Sequence, residues 1–114
     1  MTLVQIREMV DSMDNSQRVL IDDDEVLIVD GFLCDGVYSR MAKLREVLKC
    51  KFFGCLPLQS GPLKGLDLWY VDDFLSGDES LNVLATTLLG NQVFGGMIYG
   101  PVLVARAEAE TVEE

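Results

Sequence analysis

The residues best suited to chemistry lie in the last third of the chain, where polar side chains recur at helical spacing. Asn82 and Thr86 are four positions apart, so on a helix they share one face. With Tyr70 and Asp72 on a preceding strand and Tyr99 on the last strand, they could line a polar pocket for a nucleotide-like small ligand. A second interpretation needs no ligand: Asn82 caps the helix, and Thr86 hydrogen-bonds back to a backbone carbonyl. We favour this second interpretation.

The sequence predicts no catalytic residues, no metal ligands and no cofactor. Asp72 and Asp73 are neighbours, and consecutive strand residues point to opposite faces, so the two carboxylates do not converge on one substrate atom. The chain has no His, which excludes the usual catalytic triads and histidine ligation of metals. Cys34, Cys50 and Cys55 are odd in number and lack C-x-x-C spacing, which disfavours a disulfide framework or a zinc site. No motif indicates an enzyme class.

Charge is the most unusual property of the composition. Nine Lys and Arg side chains stand against nineteen Asp and Glu, for a formal net charge of −10 at pH 7 and a pI near 4.2. Phosphate backbones and anionic membranes repel such a chain, so we expect no direct binding to nucleic acid or membrane. The charge suits a protein partner with a basic surface, such as a nucleic-acid-binding protein whose site is mimicked. The alternative, which we favour for the charge taken by itself, is that it only keeps the chain soluble.

The densest acidic run is DDDE, residues 22–25. Clustered carboxylates suit hard cations, but the D-x-D-x-D-G pattern of a calcium loop is absent and successive side chains diverge. We interpret the run as the solvated turn of a hairpin between apolar strands at 19–21 and 26–29. The N-terminal segment has an early Glu and no unbroken apolar stretch, so we predict neither a signal peptide nor a membrane span. Reduced thiols are typical of a cytoplasmic protein.

The elements that must position these residues predict an α+β fold. We expect a mostly antiparallel sheet of about four to five strands with two packed helices, in an order near ββαββαβ, plus a short N-terminal helix. Residues 1–17 should form the amphipathic N-terminal helix and a turn, 18–106 a single α+β domain, and 107–114 an acidic tail. The apolar side of the N-terminal helix can pack on the domain or form a dimer contact, and we expect the former.

Two strands in the second half carry more specific predictions. Residues 66–73 should form a strand that presents Leu66, Leu68 and Tyr70 on one face and Trp69 and Val71 on the other. Residues 97–105 are predicted to form the closing strand. Pro101 cannot donate a ladder hydrogen bond, so we place it at an edge position or a bulge beside Gly100.

Two segments near the C-terminus carry a resemblance to a known family. The first is a helix of the type N-x-x-A-T-x-L, and the second is a strand of the type I-x-G-P-V-x-V. Their residues here are Asn82, Ala85, Thr86 and Leu88, followed by Ile98, Gly100, Pro101, Val102 and Val104. Across residues 19–106 the chain resembles the small proteins catalogued as a domain of unknown function, family 3846, which occur mostly in phage, plasmid and bacterial genomes. The resemblance implies a phage-type accessory protein and supplies no mechanism.

Charge and resemblance together predict a non-enzymatic accessory protein that acts by binding. The leading hypothesis is a protein–protein interaction or inhibitor module directed at a basic surface of a host protein. The alternative is a small-molecule, nucleotide-like binder that uses the helix with Asn82 and Thr86. We expect a monomer or a homodimer in the cytoplasm, which is the host cytoplasm if the protein is phage-encoded.

Overall fold

A computed structural model describes residues 1–32, 36–72, 80–93 and 95–106 of the chain. The predictions that concern Cys34, Asp73 and the acidic tail at 107–114 lie outside the described residues. Within the described part, no helix combines the length and the apolar character that crossing a membrane requires.

The described elements follow the predicted order, with a helix before the first hairpin and a helix before and after the second. Helices are α1 (Leu3–Ser12), α2 (Gly36–Leu48) and α3 (Val83–Leu89), and a 3-10 turn follows α3 at Gly90–Gln92. Strands are β1 (Arg18–Ile21), β2 (Val26–Val29), β3 (Phe53–Pro57), β4 (Leu66–Val71) and β5 (Val102–Arg106).

The five described strands form one sheet in the order β2-β1-β5-β4-β3, and every neighbouring pair is antiparallel. The last strand of the chain therefore lies at the centre, where Leu103 is opposite both Leu20 of β1 and Trp69 of β4. The predicted α+β class is confirmed.

Helices cover both faces of the sheet. On one face, Ile6 and Val10 of α1 and Ala85 and Leu89 of α3 are completely buried in the larger core. On the other face, α2 contributes Leu44 and Leu48 to a smaller core. The alternation predicted for β4 is confirmed, because Leu66, Leu68 and Tyr70 belong to the first core and Trp69 and Val71 to the second.

The closing strand is shorter than the sequence predicts, and this prediction was wrong at its N-terminal end. β5 begins at Val102, so Pro101 precedes the ladder and occupies neither an edge position nor a bulge. β5 is a central strand with neighbours on both sides, where a proline would remove a ladder hydrogen bond. Gly100, with φ of +77°, turns the chain just before the strand. Residues 97–99 consequently leave the sheet and pair elsewhere.

Candidate functional site

Many non-local polar contacts connect two short extended segments, residues 81–83 and 97–99, to each other and to α3. Leu81 and Tyr99 form an antiparallel bridge. The Asn82 amide donates to the Ile98 carbonyl at 2.8 Å, and the Gly100 amide donates to the Ser80 carbonyl at 3.0 Å. The two segments therefore lie side by side where α3 begins.

Asn82 holds this region together from the inside. It is the N-cap of α3, and its Oδ1 accepts from the Ala85 amide at 3.0 Å. Its Nδ2 donates to the Ile21 carbonyl at 3.0 Å and to the Gly100 carbonyl at 2.8 Å. Both amide hydrogens are thus used by the protein, and the side chain is only 2% exposed. The predicted capping role of Asn82 is confirmed.

Thr86 uses its hydroxyl in the same way, one turn further along α3. Its Oγ1 accepts from the Ile98 amide at 2.9 Å and donates to the Ile98 carbonyl at 3.3 Å. The carbonyl belongs to the neighbouring extended segment, whereas a threonine that bonds back within a helix would use a carbonyl of the preceding turn. Asn82 and Thr86 therefore fix the position of residues 97–100 against the helix.

Alternation along the two segments turns apolar side chains outward. Asn82 and Ile98 are buried, and the residues on either side of each are exposed. The outward residues form what we call the apolar patch, with exposed fractions of 37–57%: Leu81, Val83, Met97 and Tyr99. Within it the Tyr99 hydroxyl donates to the Met97 sulfur at 3.5 Å. Neighbouring exposed apolar side chains of this kind mark interaction surfaces more often than isolated ones do.

The acidic turn of the β1–β2 hairpin borders the apolar patch. The Asp22 amide donates to the Glu25 carbonyl at 2.9 Å, which closes the turn. Asp23 Oδ1 accepts from the Val83 amide at 3.4 Å, so the turn contacts the first residue of α3. Within the described residues, no three Cys, Asp or Glu side chains are placed to hold a metal ion. Through the contact between Asp23 and Val83, the turn places carboxylates beside exposed apolar side chains.

The five residues predicted to share a ligand pocket occupy two places. Asn82, Thr86 and Tyr99 belong to the region described above. Tyr70 lies in β4, opposite Gly54 of β3. Asp72 follows β4, and its amide donates to the carbonyl of Phe52, the residue before β3, at 2.9 Å. Tyr70 also packs against the larger core. Ligand binding by this set stays a prediction.

A cleft of about 210 Å³ lies next to Asn82, between the acidic turn and the C-terminal end of α2. Asp22, Asp23, Lys49 and Ser80 are among the residues that line it. Of the five predicted ligand residues, Asn82 alone is among the described residues that line this cleft. The cleft is polar and shares Leu81 with the apolar patch.

A second groove, of about 330 Å³, lies between α2 and the sheet. Its aromatic lining includes Phe53 and Trp69, whose rings meet edge to face with centroids 5.7 Å apart, and Phe32, over which the Arg18 guanidinium lies at 5.1 Å. The groove is therefore lined largely by residues of the smaller core.

Comparison of the chain with protein-family models, with curated proteins and with solved structures finds no match.

Sequence reasoning missed the apolar patch, although a signal for it was present. In Leu81-Asn82-Val83, two apolar residues flank a polar one, and in both this segment and Met97-Ile98-Tyr99 the alternation of an extended chain places the middle side chain opposite its two neighbours. The sequence could not show that these two segments pair with each other.

Proposed function

We propose that this chain is a small, acidic, non-enzymatic accessory protein of the phage type that works by binding to a basic surface of a host protein. The action we propose is that of an interaction or inhibitor module, in the host cytoplasm if the protein is phage-encoded. One observation carries the proposal: the exposed apolar patch lies directly beside the acidic turn at residues 22–25.

The combination of apolar and acidic groups supports a protein partner. Exposed Leu, Val, Met and Tyr side chains supply the apolar area that protein interfaces bury, and Tyr and Met are enriched in such interfaces. The neighbouring carboxylates attract a basic surface over a distance and repel acidic competitors. The overall charge of −10 acts in the same direction.

The proposal predicts how capture of a partner should respond to changes in the patch. The tagged chain is exposed to host lysate, and proteins retained by the wild type are compared with those retained by Val83→Ser and Tyr99→Ser. Val4→Ser is the matched control, because Val4 on α1 is 55% exposed and Val83 is 57% exposed.

We expect one protein with a basic surface to be retained by the wild type and by Val4→Ser, lost with both patch variants, and released by added salt. Retention that is the same for all four chains, or that resists salt, would contradict the proposal. Circular dichroism of each variant checks that the fold is retained.

The small-molecule hypothesis has one supporting observation, the polar cleft beside Asn82. Against it, both amide hydrogens of Asn82 and the hydroxyl of Thr86 already bond to backbone groups. A thermal-shift screen with nucleotides tests this hypothesis. A stabilisation that Asp22→Asn or Lys49→Ala abolishes would favour it, and no shift at any nucleotide would remove it.

A further inference from the structure

The outer side of β2 is a short, apolar sheet edge with acidic residues at both ends. Among the described strands, β2 pairs only with β1. Its residues are Val26, Leu27, Ile28 and Val29, and the middle two are each 43% exposed. Asp24 and Glu25 precede the strand and Asp30 follows it. The strand itself contains no proline or lysine, the residues that commonly protect an edge from pairing.

The register of the hairpin shows which backbone groups face outward. The Asp22–Glu25 hydrogen bond makes this pair a hydrogen-bonded one, and in antiparallel ladders hydrogen-bonded and non-hydrogen-bonded pairs alternate. The next pair, Ile21 with Val26, is therefore non-hydrogen-bonded, and so is Val19 with Ile28. The amide and carbonyl groups of Val26 and Ile28 consequently point away from β1, toward the outer side of β2.

A second copy of the chain is a poor occupant for this edge. Pairing that uses the outward groups of both copies places Val26 of one copy opposite Ile28 of the other, with Leu27 on the two-fold axis. The same register brings the acidic turn of each copy, which precedes β2, close to Asp30 of the other copy, which follows β2. Like charges directly opposite each other on neighbouring strands are destabilising, and each copy already carries a net charge of −10.

We propose that β2 accepts an extended segment of the partner protein, with basic residues flanking an apolar centre, as an added antiparallel strand. The outward amides of Val26 and Ile28 supply the backbone hydrogen bonds, and the acids at both ends of β2 select the basic flanks. The inference deepens the proposed function and rests on it, since it names the form in which the basic partner binds.

Amide hydrogen exchange on the full chain tests the inference directly. The probe is a blocked peptide of alternating Val and Thr with a pair of Lys residues at each end, added at about 1 mM. We expect exchange at Val26 and Ile28 to slow by about tenfold or more, as it does for amides that enter a ladder. Exchange at Leu27 should change less, because its amide already faces β1.

Three controls separate strand addition from other binding. The same peptide, N-methylated at alternate residues, cannot form the ladder and should give no slowing. A peptide with Glu in place of Lys should also give none. Ile28→Pro removes an outward N–H, which an edge strand tolerates, and should abolish binding while the fold is retained. If that variant unfolds, the N-methylated peptide decides, because it leaves the chain unchanged.

No slowing with the Lys peptide would overturn the inference, and so would equal slowing with the N-methylated or Glu peptide. These failures are distinguishable from failure of the proposed function. Partner capture that depends on Val83 and Tyr99, without any change in exchange at Val26 and Ile28, would leave the proposed function standing and remove strand addition.

Discussion

The two outer strands of the described sheet, β3 and β2, differ in the backbone groups that face away from their neighbouring strand. At β3, the amides and carbonyls of Phe53 and Cys55 and the carbonyl of Pro57 face away from β4 by the same alternation, because the Asp72–Phe52 bond fixes the register. Pro57 has no N–H to offer, so a donor is missing at one end of that edge. At β2, both outward residues, Val26 and Ile28, have an N–H.

At the β3 edge, pairing with a further strand is restricted by the covalent structure of proline. At the β2 edge, it is restricted by the charge of the flanking acids. A proline restricts pairing with any strand, whatever its sequence. Acids at the ends of β2 restrict pairing only with acidic strands and favour basic ones. The acidic turn leads into β2 and contacts the apolar patch through Asp23 and Val83, so these proposed binding features adjoin one another.

The largest expected effect comes from removing Asn82, which connects α3 to the end of β1 on the β2 side. Asn82→Ala leaves the Ile21 and Gly100 carbonyls and the Ala85 amide without this partner, so we expect the free energy of unfolding to fall by about 3 kcal/mol. Urea denaturation measures it. Thr87→Ala, at an exposed position of the same helix, is the control and should change stability by less than about 0.5 kcal/mol. Equal effects of the two substitutions would show that the Asn82 contacts do not hold this side together.

The next largest effect on stability concerns the packing of Gly54 in β3 against the Tyr70 ring of β4. A Cβ at Gly54 would lie 2.5 Å from the ring of Tyr70, so the ring must move. We expect Gly54→Ala to destabilise the chain by about 2 kcal/mol. In a Tyr70→Ala background the same substitution should cost much less, which a double-mutant cycle measures. Additive effects would mean that Gly54 and Tyr70 do not limit each other.

A smaller effect should appear when the charge at the ends of β2 is removed. In Asp24→Asn/Asp30→Asn, the like-charge pairs that oppose pairing of two copies are lost, so we expect self-association to strengthen by about fivefold. Sedimentation velocity over a concentration series measures it. Glu8→Gln/Asp11→Asn makes the same change in net charge on α1 and serves as the control. The same increase in both variants would assign the effect to net charge and remove the special role of β2.

The smallest effect concerns the turn at residues 14–17, which hydrogen-bonds to the segment that follows β2. The hydroxyl of Ser16, and then its backbone amide, donates to the Asp14 carboxylate and lowers the pKa of Asp14 below its ordinary value of 3.8. The Ser16 carbonyl in turn accepts from the Phe32 amide at 2.9 Å. Because the folded-state pKa is lowered, this contribution to stability is present above pH 3.8 and is lost as pH falls through the lower folded value.

Stability curves of wild type and Ser16→Ala against pH test this assignment. The small advantage of the wild type should be constant near neutral pH and should shrink below pH 3.8. A difference that does not vary with pH would show that the Asp14 carboxylate is not its source.

Local patterns predicted much of the fold, because they depend on neighbours in sequence. Alternation in the strand predicted at residues 66–73 placed Tyr70 and Trp69 on opposite faces, and residue type indicated Asn82 as a helix cap. The central place of β5 and the pairing of residues 97–99 with 81–83 depend on contacts between distant segments, which periodicity does not encode. Asn82 itself donates to Ile21, 61 positions earlier in the chain.

The candidate site was predicted less well for the same reason. Asn82, Thr86 and Tyr99 were brought together by the fold, but the polar groups of the first two bond to backbone, and Tyr70 and Asp72 lie against β3. The surface that the structure offers is apolar and acidic, and it combines the hairpin turn with two segments from the last third of the chain. A single residue pattern could not have indicated it.

The most direct test of binding on the β2 side is the footprint of a partner on this chain. The protein recovered from host lysate is added to isotopically labelled chain, and amide chemical shifts are mapped by residue. We predict that the changes concentrate on residues 22–29 and on the apolar patch, Leu81, Val83, Met97 and Tyr99, while β3 is unaffected. A footprint centred on β3 or on α2 would contradict this account of the molecule.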